Sequence, residues 1–231
     1  MDQLLDFARG PLFAICLLIM LLGLGRHVLL QVRLLTIKGQ TLRKVLWKRI
    51  AADSLSWLLP WKHLGEGTRV LTVASIVFHI GAIVTPLFLA DHVVLWESLL
   101  GIRLPAISQS SADALTLSTI VLVVVLLTYR VAVRRSRDLS RTGDYVILLL
   151  VLAPFVTGYL ASHPTVNPLP WQTMMLFHVL SAEALLVAIP FTKLAHVVLF
   201  PFDRLSQVHW QLRSGAGQRV AAAMYGEEAK V

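Results

Sequence analysis

One apolar segment near the C-terminus, residues 172–202, constrains the fold more than any other part of the chain. It reads QTMMLFHVLSAEALLVAIPFTKLAHVVLFPF and contains His178, Glu183, Lys193 and His196. It exceeds the about 20 apolar residues that a helix needs to cross a bilayer. Ionisable side chains at membrane depth are costly and usually serve a function. We therefore expect this segment to be a membrane span that carries a functional site.

The spacing of the two histidines suggests what that site binds. His178 and His196 are 18 residues apart, so on a helix that continues through Pro190 they share one face, about 27 Å apart along the axis. That distance is close to the thickness of the hydrocarbon core, which places one ring near each membrane surface. Since imidazole is a good axial ligand for haem iron, this spacing predicts two haems stacked across the bilayer.

Composition assigns the chain to the integral membrane proteins. Hydrophobic residues make up 56% of the 231, and the mean hydropathy is +0.72, whereas soluble domains have about 45–50% apolar residues. The net charge is +8, and most of the basic residues lie in loops between apolar segments. This distribution favours membrane lipid over nucleic acid as a partner. Cys16 is the only cysteine and no CxxCH motif occurs, so an iron–sulfur cluster or c-type haem would belong to a partner.

The apolar segments predict an all-α bundle of five membrane-spanning helices in one domain. The acidic N-terminal residues are atypical of a signal peptide, so we expect the first span to be a retained anchor. The predicted spans cover about residues 11–30, 70–95, 114–133, 145–162 and 173–200.

Basic residues predict the orientation of this bundle. The loop 33–69, the loop 130–144 and the tail 201–231 contain eight, five and four Lys or Arg, whereas the opposite side has only Arg9 and Arg103. The positive-inside rule therefore predicts an outer N-terminus and a cytoplasmic C-terminus. Within the loop, residues 42–58 show apolar and basic positions at roughly helical spacing, which fits an amphipathic helix on the inner leaflet or a docking surface for a cytoplasmic partner.

The second span contains two further histidines, His79 and His92. Antiparallel packing against the fifth span would pair His79 with His196 near the cytoplasm and His92 with His178 near the outside. The 13 residues between His79 and His92 correspond to about 220° on an ideal helix, so both rings would not face one partner unless Pro86 changes the winding. His163, at the outer end of span four, is the alternative fourth ligand.

These histidine segments resemble a known family. Residues 78–81 (FHIG) and 178–196 (HVLSAEALLVAIPFTKLAH) are similar to the membrane cytochrome b, or gamma, subunit of respiratory nitrate reductase. Relatives of that subunit occur in heterodisulfide reductase and dissimilatory sulfite reduction (Dsr-type) complexes. The resemblance implies two b haems held by the histidine pairs above, with quinol oxidation or quinone reduction near the outer haem.

The chain departs from the nitrate-reductase branch at two places. His92 comes three residues later than that branch's second histidine, with Leu89 at the expected position. Gln109 and Ser110 occupy the region of a lysine that contributes to that branch's quinol site. The chain therefore resembles the relatives of that subunit more closely than the nitrate-reductase branch.

The remaining expectations concern roles and partners. Glu183 is a candidate proton carrier for a quinone site or a structural hydrogen-bonding group, and Lys193 and Arg204 would pair with propionates of the inner haem or with lipid headgroups. The expected function is electron transfer between menaquinone or ubiquinone and partner subunits with iron–sulfur clusters, c-type haems or a molybdenum cofactor, in a prokaryotic cytoplasmic membrane. The alternatives are a haem wire between proteins without a quinone site, a pure membrane anchor, and a proton-coupled transporter or channel.

Overall fold

The computed structural model describes residues 1–37, 69–211 and 216–226, together with Ala52 and Leu55. Side chains are described for residues 1–34, 72–203, 218–224 and 226 and for those two positions. Most of the basic loop 33–69, including the predicted amphipathic helix, therefore lies outside the described residues.

Every regular element in the described residues is helical. In chain order they are α1 (Asp2–Phe7), a π-helical turn (Ala8–Leu12), α2 (Phe13–Ile37), α3 (Arg69–Phe88), α4 (Ala90–Leu100), α5 (Gln109–Ala132), α6 (Arg134–Leu139), α7 (Thr142–Ser162), α8 (Trp171–Ala188), two 3₁₀ turns (Ile189–Phe191 and Lys193–Ala195), α9 (His196–Gln211) and α10 (Ala216–Tyr225).

Four continuous helical segments in the described residues are long and apolar enough to cross a membrane. They are Asp2–Leu34, Gln109–Ala132, Thr142–Ser162 and Trp171–Phe191, and the bent pair Thr72–Phe88 and Ala90–Leu100 makes a fifth if counted as one span. Many Leu, Ile and Val side chains on these helices are exposed, as lipid-facing positions require. The chain is thus an all-helical, multi-pass membrane protein.

The chain divides into two compact units. The first contains residues 1–20 and 65–192, and the second contains residues 21–64 and 193–231. In the first unit, α7 packs against both α5 and α8, α3 packs against α5, and α1 with the π turn packs against α8. These contacts link α3, α5, α7 and α8 in that order.

A glycine lets α3 and α5 approach closely. A Cβ added at Gly81 would collide with the Thr119 hydroxyl and lie 3.0 Å from the Leu115 carbonyl oxygen. Thr119 is fully buried and donates its hydroxyl to the Leu115 carbonyl oxygen at 2.7 Å. Small residues at helix contacts are the usual means of packing inside membranes, where water does not drive helices together.

The second predicted span is not one straight helix. It ends as α3 at Phe88, resumes as α4 at Ala90, and bends by 58° at the break. Leu89 has an extended backbone, with φ −62° and ψ 135°. Pro86 lies in the last turn of α3 and contributes no N–H to the helix. The angular conflict between His79 and His92 on an ideal helix therefore does not apply.

The fifth predicted span is interrupted before it reaches His196. Helix α8 ends at Ala188, two 3₁₀ turns follow, and Thr192 between them is extended, with φ −126° and ψ −176°. Pro190 explains the interruption, because its ring clashes with the carbonyl four residues earlier and it lacks an N–H. The expectation that His178 and His196 share one face of a continuous helix is therefore wrong, and the long apolar segment is Trp171–Phe191.

Candidate functional site

The imidazole rings of His92 and His178 lie side by side in the first unit. Their centroids are 6.0 Å apart and their planes differ by only 4°. His92 comes from the first turn of α4, just after the 58° bend, and His178 comes from α8, about two turns after its start. The structure thus brings together His92 and His178, which the sequence analysis predicts to pair near the outer surface.

The end of α3 fixes the His92 ring. The last carbonyls of a helix lack intrahelical partners, and the break at Leu89 leaves the Pro86 carbonyl oxygen to side chains. His92 Nδ1–H donates to it at 3.2 Å and Trp96 Nε1–H at 3.0 Å. Trp96 also packs at 6.0 Å between centroids against Phe13 of α2. The bend and the hydrogen bond together define the direction of the imidazole.

Helix α7 fixes the His178 ring in a similar way. His178 Nδ1–H donates to the Pro154 carbonyl oxygen at 2.9 Å. The ring reaches this carbonyl because the residue one turn further along α7 is Gly158, where an added Cβ would lie only 2.8 Å from His178 Cε1. In both histidines Nδ1 is bound to the backbone, and no hydrogen bond to either Nε2 is found among the described residues.

The donor types suit haem iron, because imidazole nitrogen is a common iron ligand. The two rings are parallel and their centroids are 6.0 Å apart. Metal-binding histidines usually donate their other N–H to a carbonyl or carboxylate, which sets the tautomer and the ring orientation. Both rings meet that requirement.

The two histidines of the other predicted pair belong to different units. His79 belongs to the first unit, donates Nδ1–H to the Ser75 carbonyl oxygen, and meets Phe78 edge-on at 5.0 Å between centroids. His196 belongs to the second unit and donates Nδ1–H to the Lys193 carbonyl oxygen at 2.8 Å. The pairing of His79 with His196 stays a prediction. The Lys193 side chain is exposed, and the Arg204 side chain lies outside the described residues.

His163, the alternative fourth ligand, makes different contacts. Its Nε2 lies 3.4 Å from an Asp113 carboxylate oxygen, and its Nδ1–H donates to the Tyr159 carbonyl oxygen at 2.9 Å. The ring also stacks on Tyr159 with centroids 4.1 Å apart. Both nitrogens of His163 therefore have partners, and the contact with Asp113 links α7 to α5. Gln109, in the region of the missing lysine, donates to the other Asp113 oxygen at 2.9 Å.

Glu183 is buried on α8. Its side chain is 3% exposed, and neither carboxylate oxygen has a hydrogen-bond partner among the described residues. Cys16 of α2 is also buried and lies within electrostatic range of this carboxyl group. A buried carboxyl group without a hydrogen-bond partner is costly in an apolar interior, which marks Glu183 as a candidate functional residue.

Sequence reasoning missed the residues that hold the ligand rings. Gly158, the Pro154 carbonyl and Trp96 do not stand out by type or charge. Gly158 could have been noticed as an isolated glycine inside an apolar helical segment, because such a glycine often has a packing role. In the described part of the chain, no cluster of three or more His, Cys, Asp or Glu side chains could hold a metal ion.

Comparison with known proteins finds a relative that matches most of the chain. The chain is 36% identical over 207 residues to a protein of Nitratidesulfovibrio vulgaris strain Hildenborough, covering 86% of this chain and 89% of the relative. The name of that relative states no activity. No protein-family model matches the chain. No solved structure matches it either.

Proposed function

We propose that this chain, which belongs to the same family as the N. vulgaris protein, is a di-haem b membrane subunit of a respiratory redox complex. It would carry electrons between quinone or quinol in the membrane and partner redox subunits. The observation that carries the proposal is the His92–His178 pair, with parallel rings 6.0 Å apart and both Nδ1 atoms bound to backbone carbonyls. The sequence resemblance to the nitrate-reductase gamma subunit supports it.

The protein's contribution is to hold and orient the ligands. His92 and His178 would bind one haem, and His79 and His196 the second, with Lys193 and Arg204 as candidate partners for its propionates. Bound there, haem would supply one-electron transfer. The Pro86 and Pro154 carbonyls keep the first two rings in one tautomer, and the apolar helices exclude water from the ligand nitrogens.

A quinone function would need a group that accepts protons. Quinol oxidation releases two protons and two electrons, so a site near the His92–His178 pair requires an acceptor that is not already bonded. Glu183 lies five residues along α8 from His178 and its carboxyl group is buried without a partner. We assign it the proton-carrying role in reaction with menaquinone or ubiquinone.

The charge distribution supports a particular orientation and set of partners. The basic loops and tail would face the cytoplasm of a prokaryotic cell, where they could contact anionic lipid and an acidic subunit with iron–sulfur clusters, c-type haem or a molybdenum cofactor. The His92–His178 pair would then lie on the outer side, close to the quinone site.

Haem quantitation tests the proposal directly. The full-length chain, purified from membranes, should contain two b haems and show sharp reduced-minus-oxidised bands. His178→Ala should remove one haem and retain the other, whereas the matched variant His163→Ala should keep both. A protein without haem, or a His178→Ala variant with the full haem content, contradicts the assignment.

The second candidate is a proton-coupled transporter or channel. It is favoured by one observation, the buried and unpartnered Glu183 carboxyl group, because buried acids also line proton pathways. A colourless purified protein would favour this alternative. A red protein that does not react with quinol analogues would instead indicate a haem wire between protein partners.

A further inference from the structure

A short segment at the N-terminus packs against α8 close to the His92–His178 pair. Leu5 and Ala8 form a buried cluster with Leu176 of α8. The chain is π-helical from Ala8 to Leu12, a local distortion that is often found at functional sites. Since Ala8 is fully buried in this contact, the position of the neighbouring residue Arg9 is anchored by packing.

The guanidinium group of Arg9 lies over the ring of Trp171, 5.9 Å from its centroid. Trp171 is the first residue of α8, and His178 follows seven residues later. Seven residues are close to two full turns, so Trp171 and His178 share a face of α8 about 10 Å apart along its axis. Arg9 is therefore placed beyond His178, toward the N-terminal end of α8.

The charge of Arg9 is not neutralised by an ion pair in the described residues. Arg103, in the loop after α4, is paired with Glu97 at 3.7 Å, and the other recorded pairs join Arg134 to Asp138 and His163 to Asp113. No Lys or Arg occurs in the loop 163–170. Among the described residues, Arg9 is thus a basic residue near the start of α8 whose charge has no ion-pair partner.

We propose that Arg9, held over Trp171 and two turns from His178, binds a carboxylate of the ligand that His92 and His178 hold. The inference rests on the proposed function, because a b haem carries two propionate groups and binds through its iron to histidine. Arginine is suited to this role, since its planar guanidinium group forms paired hydrogen bonds with a carboxylate while stacking on an aromatic ring. A phosphate of an anionic lipid has similar chemistry and is the rival occupant.

Redox titration of membranes containing the full-length chain tests the assignment. Arg9→Gln removes a positive charge beside one haem and leaves its propionate uncompensated, so the reduced form becomes less favourable. We expect the equilibrium constant for reduction of one centre to fall about tenfold, which is about 59 mV for one electron. The other centre should not change. The matched control is Arg103→Gln, which removes the arginine already paired with Glu97 and should leave both potentials unchanged.

Two further variants make the result decisive. In a His178→Ala background, Arg9→Gln should have no effect on the remaining centre. Arg9→Lys keeps the positive charge but cannot form paired hydrogen bonds with a carboxylate, so it should lower the redox potential by less than Arg9→Gln does. It replaces Arg9→Gln in the test if that variant does not accumulate in the membrane. Unchanged potentials in both Arg9 variants, with two haems retained, overturn the inference but not the proposed function. A wild-type protein without haem contradicts both the Arg9 inference and the proposed function. A decrease that disappears in bilayers of neutral lipid assigns Arg9 to a lipid phosphate and also overturns the inference.

Discussion

The contact between Gly158 and His178 leads to a sharp prediction for Gly158→Ala. The added Cβ would lie 2.8 Å from Cε1, 2.9 Å from Nδ1 and 3.5 Å from Nε2 of the His178 ring. Carbon atoms in good contact are about 3.5–4.0 Å apart, so the ring would have to move by about 0.7 Å. It cannot move without changing its hydrogen bond to the Pro154 carbonyl, which lies on the preceding turn of the same helix.

The expected loss can be estimated from this displacement. Metal sites tolerate deviations of about 0.2 Å in ligand distance, and inserting a methyl group into a packed interior typically costs about 1–3 kcal/mol. Since about 1.4 kcal/mol corresponds to a tenfold change in binding, retention of haem at the His92–His178 pair should weaken by about 5- to 150-fold. The centre that depends on His79 and His196 should be retained.

The assay is haem content and redox titration of the purified variant. Gly143→Ala is the matched control, because Gly143 lies on the same helix and an added Cβ there meets nothing within 4 Å. A Gly158→Ala protein with two haems and wild-type potentials would refute either the packing of His178 on α7 or its role as a ligand.

Three further substitutions test the separate histidine pairs, the proton-carrying role of Glu183 and the hydrogen bond that holds His92. His196→Ala should remove one haem, measured as one redox centre instead of two, and loss of both from a folded protein would contradict the separate pairs. Glu183→Gln should keep both haems and slow turnover with a quinol analogue, because the amide cannot accept the proton, and unchanged turnover would exclude the proton-carrying role. Trp96→Phe preserves an aromatic ring near Phe13 but leaves the Pro86 carbonyl oxygen to His92 alone. The His92 hydrogen bond should then become stronger and the imidazole more basic, so the redox potential of one haem should fall. A potential that stays the same or rises would show that the shared carbonyl does not tune this ligand.

The sequence was sufficient for the fold class and for most helix positions. Long apolar segments predict membrane spans because no water is available in the bilayer to bond exposed backbone groups, and the described helices confirm a multi-pass, all-helical chain. The orientation of the termini stays a prediction. Helix ends were less predictable, because Pro86 and Pro190 show where a helix can break but not how far it bends.

The local geometry of the site required the structure. On an ideal helix His92 would face away from the partner of His79, and only the 58° bend near Leu89 turns it toward His178. At α8 the ideal-helix assumption failed in another way. The 18-residue spacing would place His178 and His196 on one face of a continuous helix, but the helix breaks near Pro190 and ends before His196.

His92 and His163, the two candidates for the fourth ligand, differ in how their ring nitrogens are bonded. His79, His92, His178 and His196 all donate Nδ1–H to a backbone carbonyl, and because the acceptors are main-chain atoms, side-chain substitution does not readily remove them. His163 also donates Nδ1–H to the backbone, but its Nε2 is engaged by Asp113. Binding a metal requires a ring nitrogen without another partner, and both nitrogens of His163 have partners. This contrast supports His92 over His163 in the proposed ligand set, and the choice stays a prediction.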